Sequence, residues 1–84
     1  MSDEIGALIL AIEDDPQIVR FLRTTLTSSG YRLLEATTGG EGINQVALYH
    51  PDIIILDLGL PDLDGLDVTR RLREWSDTPI IVVS

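Results

Sequence analysis

The residues of this 84-residue sequence that could do chemistry are mostly acidic, and the most telling of them sit where apolar runs end. Glu13-Asp14-Asp15 comes directly after residues 7–12, Asp57 closes the run 53–56, and the hydroxyl of Ser84 follows the run 80–83. A carboxylate emerging from a buried segment loses hydration and needs a compensating partner. If the ends of these runs lie side by side, three or four carboxylates converge, although Asp14 and Asp57 are far apart in the chain. Like charges held that close repel and raise one another's pKa unless a cation neutralises them. Oxygen donors suit a hard divalent cation. Mg²⁺ fits best, because it takes only one or two carboxylates and fills its octahedron with water and phosphate. The chain has no cysteine, which excludes a thiolate metal site and a disulfide framework.

Elements of the right kind exist to bring these residues together. The runs 7–12, 53–56 and 80–83 are short, continuous and largely β-branched or Leu, as in strands buried on both faces of a parallel sheet. A weaker run, 31–36, reads as an edge strand. Between the runs lie helical segments. Asp15-Pro16 reads as an N-cap and first helical position, followed by Ile18, Leu22 and Leu26 and stopped by Gly30. Thr37 or Thr38 caps a second helix carrying Ile43, Val46 and Ala47, although Gly39, Gly40 and Gly42 weaken it. Val68, Leu72 and Trp75 form a third stripe. The order β-α-β-α-β-α-β predicts an α/β fold with a parallel sheet, right-handed crossovers and helices on both faces. In such a sheet the site forms at the carboxyl ends of the strands, where Glu13, Asp14, Asp57 and Ser84 lie.

Charge narrows the partners. Six basic residues, all arginine, face fourteen acidic ones, for a net charge of −8. That balance repels phosphate backbones and anionic lipid, so direct contact with nucleic acid or membrane is not expected of this segment. The acidic start Met1-Ser2-Asp3-Glu4 is unlike a signal peptide, and no apolar run reaches about 18 residues. A soluble, cytoplasmic domain is expected.

Three stretches together resemble the receiver domain of bacterial response regulators. They are Ile9-Leu10-Ala11-Ile12-Glu13-Asp14-Asp15, the block from Pro51-Asp52 through Asp57-Leu58-Gly59-Leu60-Pro61-Asp62-Leu63-Asp64-Gly65, and Pro79-Ile80-Ile81-Val82-Val83-Ser84. Phe21-Leu22-Arg23-Thr24, Asp57-Leu58-Gly59-Leu60-Pro61 and Leu72-Arg73-Glu74-Trp75-Ser76 further resemble the winged-helix, OmpR-like subgroup. The resemblance implies a flavodoxin-like, doubly wound sheet of strand order 2-1-3-4. It implies that Asp57 is the phosphoacceptor for a sensor histidine kinase, and that Asp14, Asp57 and the backbone carbonyl of Gly59 ligate Mg²⁺, with Glu13 acting through water. Ser84 is then the switch hydroxyl. Pro61 and Asp64-Gly65 shape the loop leaving the site, the glycine by permitting positive φ. The resemblance also implies a signalling domain of a transcriptional regulator, not an enzyme.

The likeness stops short at one end. The family places a lysine after a fifth strand, and this sequence has neither that strand nor any lysine; the last two helices are also absent. Residues 1–84 therefore read as a partial receiver domain, a fragment of a longer regulator in preference to a degenerate one, since every motif ahead of the break is intact. DNA binding is expected only of a missing C-terminal domain. A sheet left uncovered on one side would favour self-association.

Two other functions compete. A degenerate pseudo-receiver would only bind partners. A haloacid-dehalogenase-like phosphohydrolase would also use an aspartate nucleophile with Mg²⁺, but it requires an aspartate two positions later, where this chain has Gly59. His50 reads as a helix-terminal residue, Trp75 as packed along the third helix, and Arg70, Arg71 and Arg73 as solvated or paired.

Overall fold

The computed structural model describes residues 6–83. Four strands, β1 (Leu8–Ile12), β2 (Arg32–Ala36), β3 (Ile53–Asp57) and β4 (Ile80–Val83), alternate with three helices, α1 (Pro16–Ser28), α2 (Gly39–Tyr49) and α3 (Gly65–Arg73). All strand pairs are parallel, and the sheet order is β2-β1-β3-β4, the expected 2-1-3-4. Every parallel neighbour needs a crossover, and the three helices supply them.

Local chemistry sets the helix ends. The Asp15 carboxylate accepts the Gln17 N–H at 2.9 Å, and Pro16 opens α1 where its missing N–H removes no hydrogen bond. Thr38 Oγ1 accepts the Glu41 N–H at 3.1 Å, and Glu41 reaches back to the Thr37 N–H at 2.8 Å. Asp64 caps α3 through the Leu66 N–H at 2.9 Å. Gly30, at φ 91°, takes the left-handed turn that ends α1, while His50 closes α2 at φ 50° with its N–H bonded to the Val46 carbonyl.

The core lies on the sheet face covered by α2 and α3. Leu10, Ile12, Ile54 and Leu56 from the central strands pack with Ala36, Val46, Val68 and Leu72, all fully buried or nearly so. On the opposite face, Ile9 and Ala11 are buried, and α1 contributes Val19. An Arg23–Glu35 pair, with Nε–Oε2 at 2.6 Å and Nη2–Oε1 at 2.8 Å, fastens α1 to the edge strand β2.

Three expected stripes shift. In α1 only Val19 is buried; Leu22 and Leu26 are half-buried, Ile18 is exposed and Phe21 is 67% exposed. The helix is fastened over β2, so this flank overlooks the β3–β4 side of the sheet instead of entering the core. In α2 the buried stripe is Gly39, Gly42 and Val46, which leaves Ala47 exposed. The glycines that lower helix propensity are the close-packing positions: a side chain at Gly42 would lie 2.8 Å from Ile12 Cγ1. Trp75 stands beyond the end of α3 and is half exposed, because the chain turns at Glu74 and leaves the helical stripe.

The substitution Gly42→Ala should therefore destabilise the protein by about 1–3 kcal/mol through overpacking against Ile12, despite alanine's better helix propensity. A urea denaturation midpoint equal to or above that of the wild type would contradict this packing.

Candidate metal and phosphoryl site

The site follows from strand register. Ile12 pairs with Leu56 across β1 and β3, so the chain delivers Glu13 and Asp57 side by side at the carboxyl edge. Glu13 stays aligned because its N–H continues the β1–β2 ladder to the Ala36 carbonyl at 2.9 Å. Asp14 follows just before the Asp15 cap of α1. Carboxylate oxygens of Glu13, Asp14 and Asp57 lie within 4.8 Å of one another. Glu13 is only 3% exposed, Asp57 is half-buried and Asp14 is exposed.

Among the described residues no arginine pairs with this charge. The ion pairs among the described residues, Arg23–Glu35 and Arg70–Asp67, lie elsewhere. Burial pushes the Glu13 carboxyl above the usual glutamate range; the Asp15 N–H, donated at 3.0 Å, pulls it back, and the charges of Asp57, Asp14 and Asp15 raise it further. Three hard oxygen donors converging from two elements form a donor set suited to a small divalent cation.

The loop from β3 to α3 closes over the same edge. Gly59 pairs with Asp64 in an isolated antiparallel bridge, and the Gly65 N–H bonds to the Leu58 carbonyl at 3.1 Å. Gly59 adjoins Asp57: a side-chain carbon there would sit 3.9 Å from Asp57 Oδ2. Gly65 does not use positive φ as expected. It is glycine because a Cβ would lie 2.9 Å from Leu58 Cα and 3.0 Å from the Asp57 carbonyl oxygen.

The structure thus unites Glu13, Asp14 and Asp57, places Gly59 beside them, and makes Asp15 a cap. Ser84 lies outside the described residues; Val83, just before it, pairs with Asp57 across β3 and β4. A cleft of about 200 Å³ opens beside Glu13 and Asp57, walled by Ile18, Phe21, Leu22, Ile55 and Val83. His50 closes α2, and Arg70 and Arg73 bond Asp67 and the Ser76 carbonyl, in keeping with structural roles. Asp62, which sequence reasoning left without a role, binds the N–H groups of Gly39 and Gly40 at 2.7 and 2.9 Å. Only its place between proline and a leucine hinted at a turn; its partners, more than twenty residues away, left no local mark.

A doubly wound parallel sheet with an acidic triad at its carboxyl edge is the arrangement the receiver resemblance implies, and the comparisons agree. The chain belongs to the response regulator receiver domain family, whose sequence model matches residues 9–84. Among curated relatives it is 51% identical over 76 residues to the KDP operon transcriptional regulatory protein KdpE of Escherichia coli. It is 49% identical over 77 residues to the transcriptional regulatory protein KdpE of Mycobacterium tuberculosis. These alignments cover 90% and 92% of this chain but 34% of each relative, so the chain spans about a third of their length. These relatives agree with the OmpR-like likeness read from residues 21–24, 57–61 and 72–76. In structure, the chain matches the receiver domain of sensor histidine kinase PA1611 from Pseudomonas aeruginosa, solved with magnesium in its active-site cleft. That match has a TM-score of 0.89 and 32% identity, over 94% of this chain and 67% of the other. Asp62 and Asp64 are occupied as helix caps, which leaves neither free as the second catalytic acid of a phosphohydrolase.

A carboxyl whose folded pKa exceeds its unfolded value stabilises the fold in acid, and that contribution is lost as pH rises through the raised value. In metal-free buffer the melting temperature of the wild type should therefore fall relative to that of Glu13→Gln across a pH range that starts at the ordinary glutamate value and extends above it. Parallel melting curves across that range would show that Glu13 is not strained by burial and charge.

Proposed function

We propose that the chain accepts a phosphoryl group on Asp57 from the phosphohistidine of a sensor kinase, acting in the cytoplasm as the signal-receiving part of a transcriptional regulator. The observation that carries this reading is the convergence of Glu13, Asp14 and Asp57 within 4.8 Å at the sheet edge. The chemistry is simple and balanced. An Asp57 carboxylate oxygen bonds phosphorus while the P–N bond of phosphohistidine breaks, and the departing imidazole nitrogen keeps the electron pair and takes up a proton. Phosphoryl transfer of this kind is mostly positioning and charge compensation, so the chain is a substrate of the kinase and not a turnover enzyme.

Mg²⁺ fits the donor set. Asp14 and Asp57 would hold it with the Gly59 carbonyl, and Glu13 would act through water. Bound there, it supplies Lewis-acid stabilisation of charge on the transferring oxygens. Strand β3 holds Asp57 facing the acidic edge, the capped start of α1 holds Asp14, and Glu13, once ionised, adds negative charge that strengthens cation binding. Ser84 would follow the new phosphoryl group as the switch hydroxyl, and DNA contact would belong to a further domain.

The purified chain, incubated with Mg²⁺ and a small-molecule phosphodonor, should gain one acid-stable, base-labile phosphoryl group mapped to Asp57 by mass spectrometry. Asp57→Asn should gain none. Asp14→Asn should weaken Mg²⁺ binding by roughly tenfold or more, equivalent to about 1.4 kcal/mol. Labelling of Asp57→Asn at the wild-type level would overturn the assignment, and a chain indifferent to Mg²⁺ would favour the partner-binding pseudo-receiver.

The same chain offers a surface to a second copy: Ile81, Val82 and Val83 of β4 and Phe21 of α1 are exposed apolar residues, and Phe21 and Val83 line the cleft. At a net charge of −8, association of two copies should strengthen as salt screens their repulsion. Sedimentation showing only monomer at high concentration and high salt would exclude it.

A further inference from the structure

We propose that Asp62 is a positioning residue: its carboxylate ties the β3–α3 loop, which carries Gly59, to the first turn of α2 and so holds that loop against Asp57. The inference rests on the reading of the acidic edge as a Mg²⁺ and phosphoryl site. Both oxygens are engaged. Oδ1 accepts the Gly39 N–H at 2.7 Å and the Leu63 N–H at 2.9 Å, and Oδ2 accepts the Gly40 N–H at 2.9 Å. A helix start offers four N–H groups without intrahelical partners and a positive dipole end, so an anionic clamp from outside the helix is favourable there.

Helix capping alone does not account for this arrangement. Thr38, adjacent to the helix, already accepts the Glu41 N–H. The second acceptor arrives from a loop more than twenty residues away, and the sequence is shaped to admit it. A Cβ at Gly39 would lie 2.8 Å from Val68 Cγ2 and 3.0 Å from Leu63 Cβ, and one at Gly40 would lie 3.4 Å from Asp62 Oδ2. Two consecutive glycines at a helix start lower its propensity, yet here they are the places where helix and loop come together. The N–H donations from Gly40 and Gly39 also hold the Asp62 carboxyl below the usual aspartate range, so the clamp stays anionic in mild acid.

The loop between Asp57 and α3 has few other restraints. The Gly59–Asp64 bridge and the Gly65-to-Leu58 bond fasten its base, while Leu60 and Leu63 lie against the core. Asp62 is the one residue of the loop whose side chain reaches a separate element through hydrogen bonds among those described. Anything that displaces it moves the segment from Gly59 to Leu63, and with it the oxygen donor beside Asp57. Coupling of this kind is reciprocal: a clamp that favours cation binding is itself strengthened by the cation.

The test compares the wild type with Asp62→Ala, Asp62→Asn and Thr38→Ala. The last removes a different acceptor from the same helix end without touching the loop. Mg²⁺ affinity is read by titration calorimetry, stability by thermal melting, and clamp strength by amide hydrogen exchange at Gly39 and Gly40. Asp62→Ala should weaken Mg²⁺ binding about tenfold, as loss of a residue that orients metal ligands does. Thr38→Ala should lower the melting temperature comparably and leave Mg²⁺ affinity unchanged. Asp62→Asn, which keeps one acceptor oxygen, should recover most of the affinity. In the wild type, Mg²⁺ should slow exchange at Gly39 and Gly40. Equal Mg²⁺ affinity in Asp62→Ala and Thr38→Ala would overturn the proposal; should Asp62→Ala not fold, exchange at the two glycines indifferent to Mg²⁺ would do so. The outcome is separable from the phosphoacceptor reading, which fails only if wild-type Asp57 takes up no phosphoryl group.

Discussion

Parallel pairing of β1 with β3 is the constraint on which the rest of the molecule depends. With Ile12 opposite Leu56, the residues that follow, Glu13 and Asp57, have no choice but to share the same edge. Backbone hydrogen bonds and buried aliphatic side chains on both strands hold the register, and a slip by one residue would exchange the core face for the other. Packing energy spread over the sheet thus maintains a local charge repulsion that the acids alone would relieve by moving apart. The site is strained by design of the fold, and a cation is the simplest means of relieving it.

The acidic residues divide by what answers their charge. Asp15, Asp62 and Asp64 accept helix N–H groups, Glu41 turns back to Thr37, Glu35 holds Arg23, and Asp52 receives the Leu8 N–H at 2.7 Å. Each is a structural acid with its charge offset where it stands. Asp57 and Asp14 instead face one another and the desolvated Glu13, which has a single backbone N–H to set against burial. The proposed site is the place where acids are brought together with no cationic partner among the described residues. A net charge of −8 would not by itself distinguish the two groups.

Much of this was legible in residue order. The four strands, the Asp15-Pro16 opening of α1 and the stop at Gly30 follow from short-range chemistry, and the structure reproduces them. Glu13, Asp14 and Asp57 were legible because each terminates an apolar run. What was misread depended on neighbours distant in the chain. Ile18 looks like a core residue until α1 is seen fastened over β2 by Arg23 and Glu35. Gly42 looks like a weak helical position until Ile12 is found against it, and Gly65 like a left-handed turn residue until Leu58 and the Asp57 carbonyl are found in the space of its missing side chain.

By itself the sequence determined the alternation of strands and helices, the caps of α1 and α2, and the acids at the strand ends, because these rest on periodicity and on hydrogen bonds between residues a few positions apart. The tertiary structure alone decided the distances among Glu13, Asp14 and Asp57, which face of each helix is buried, and the attachment of Asp62 to the start of α2. Those features arise where chain segments more than twenty residues apart are pressed together, and a one-dimensional pattern carries no record of which atoms will then meet.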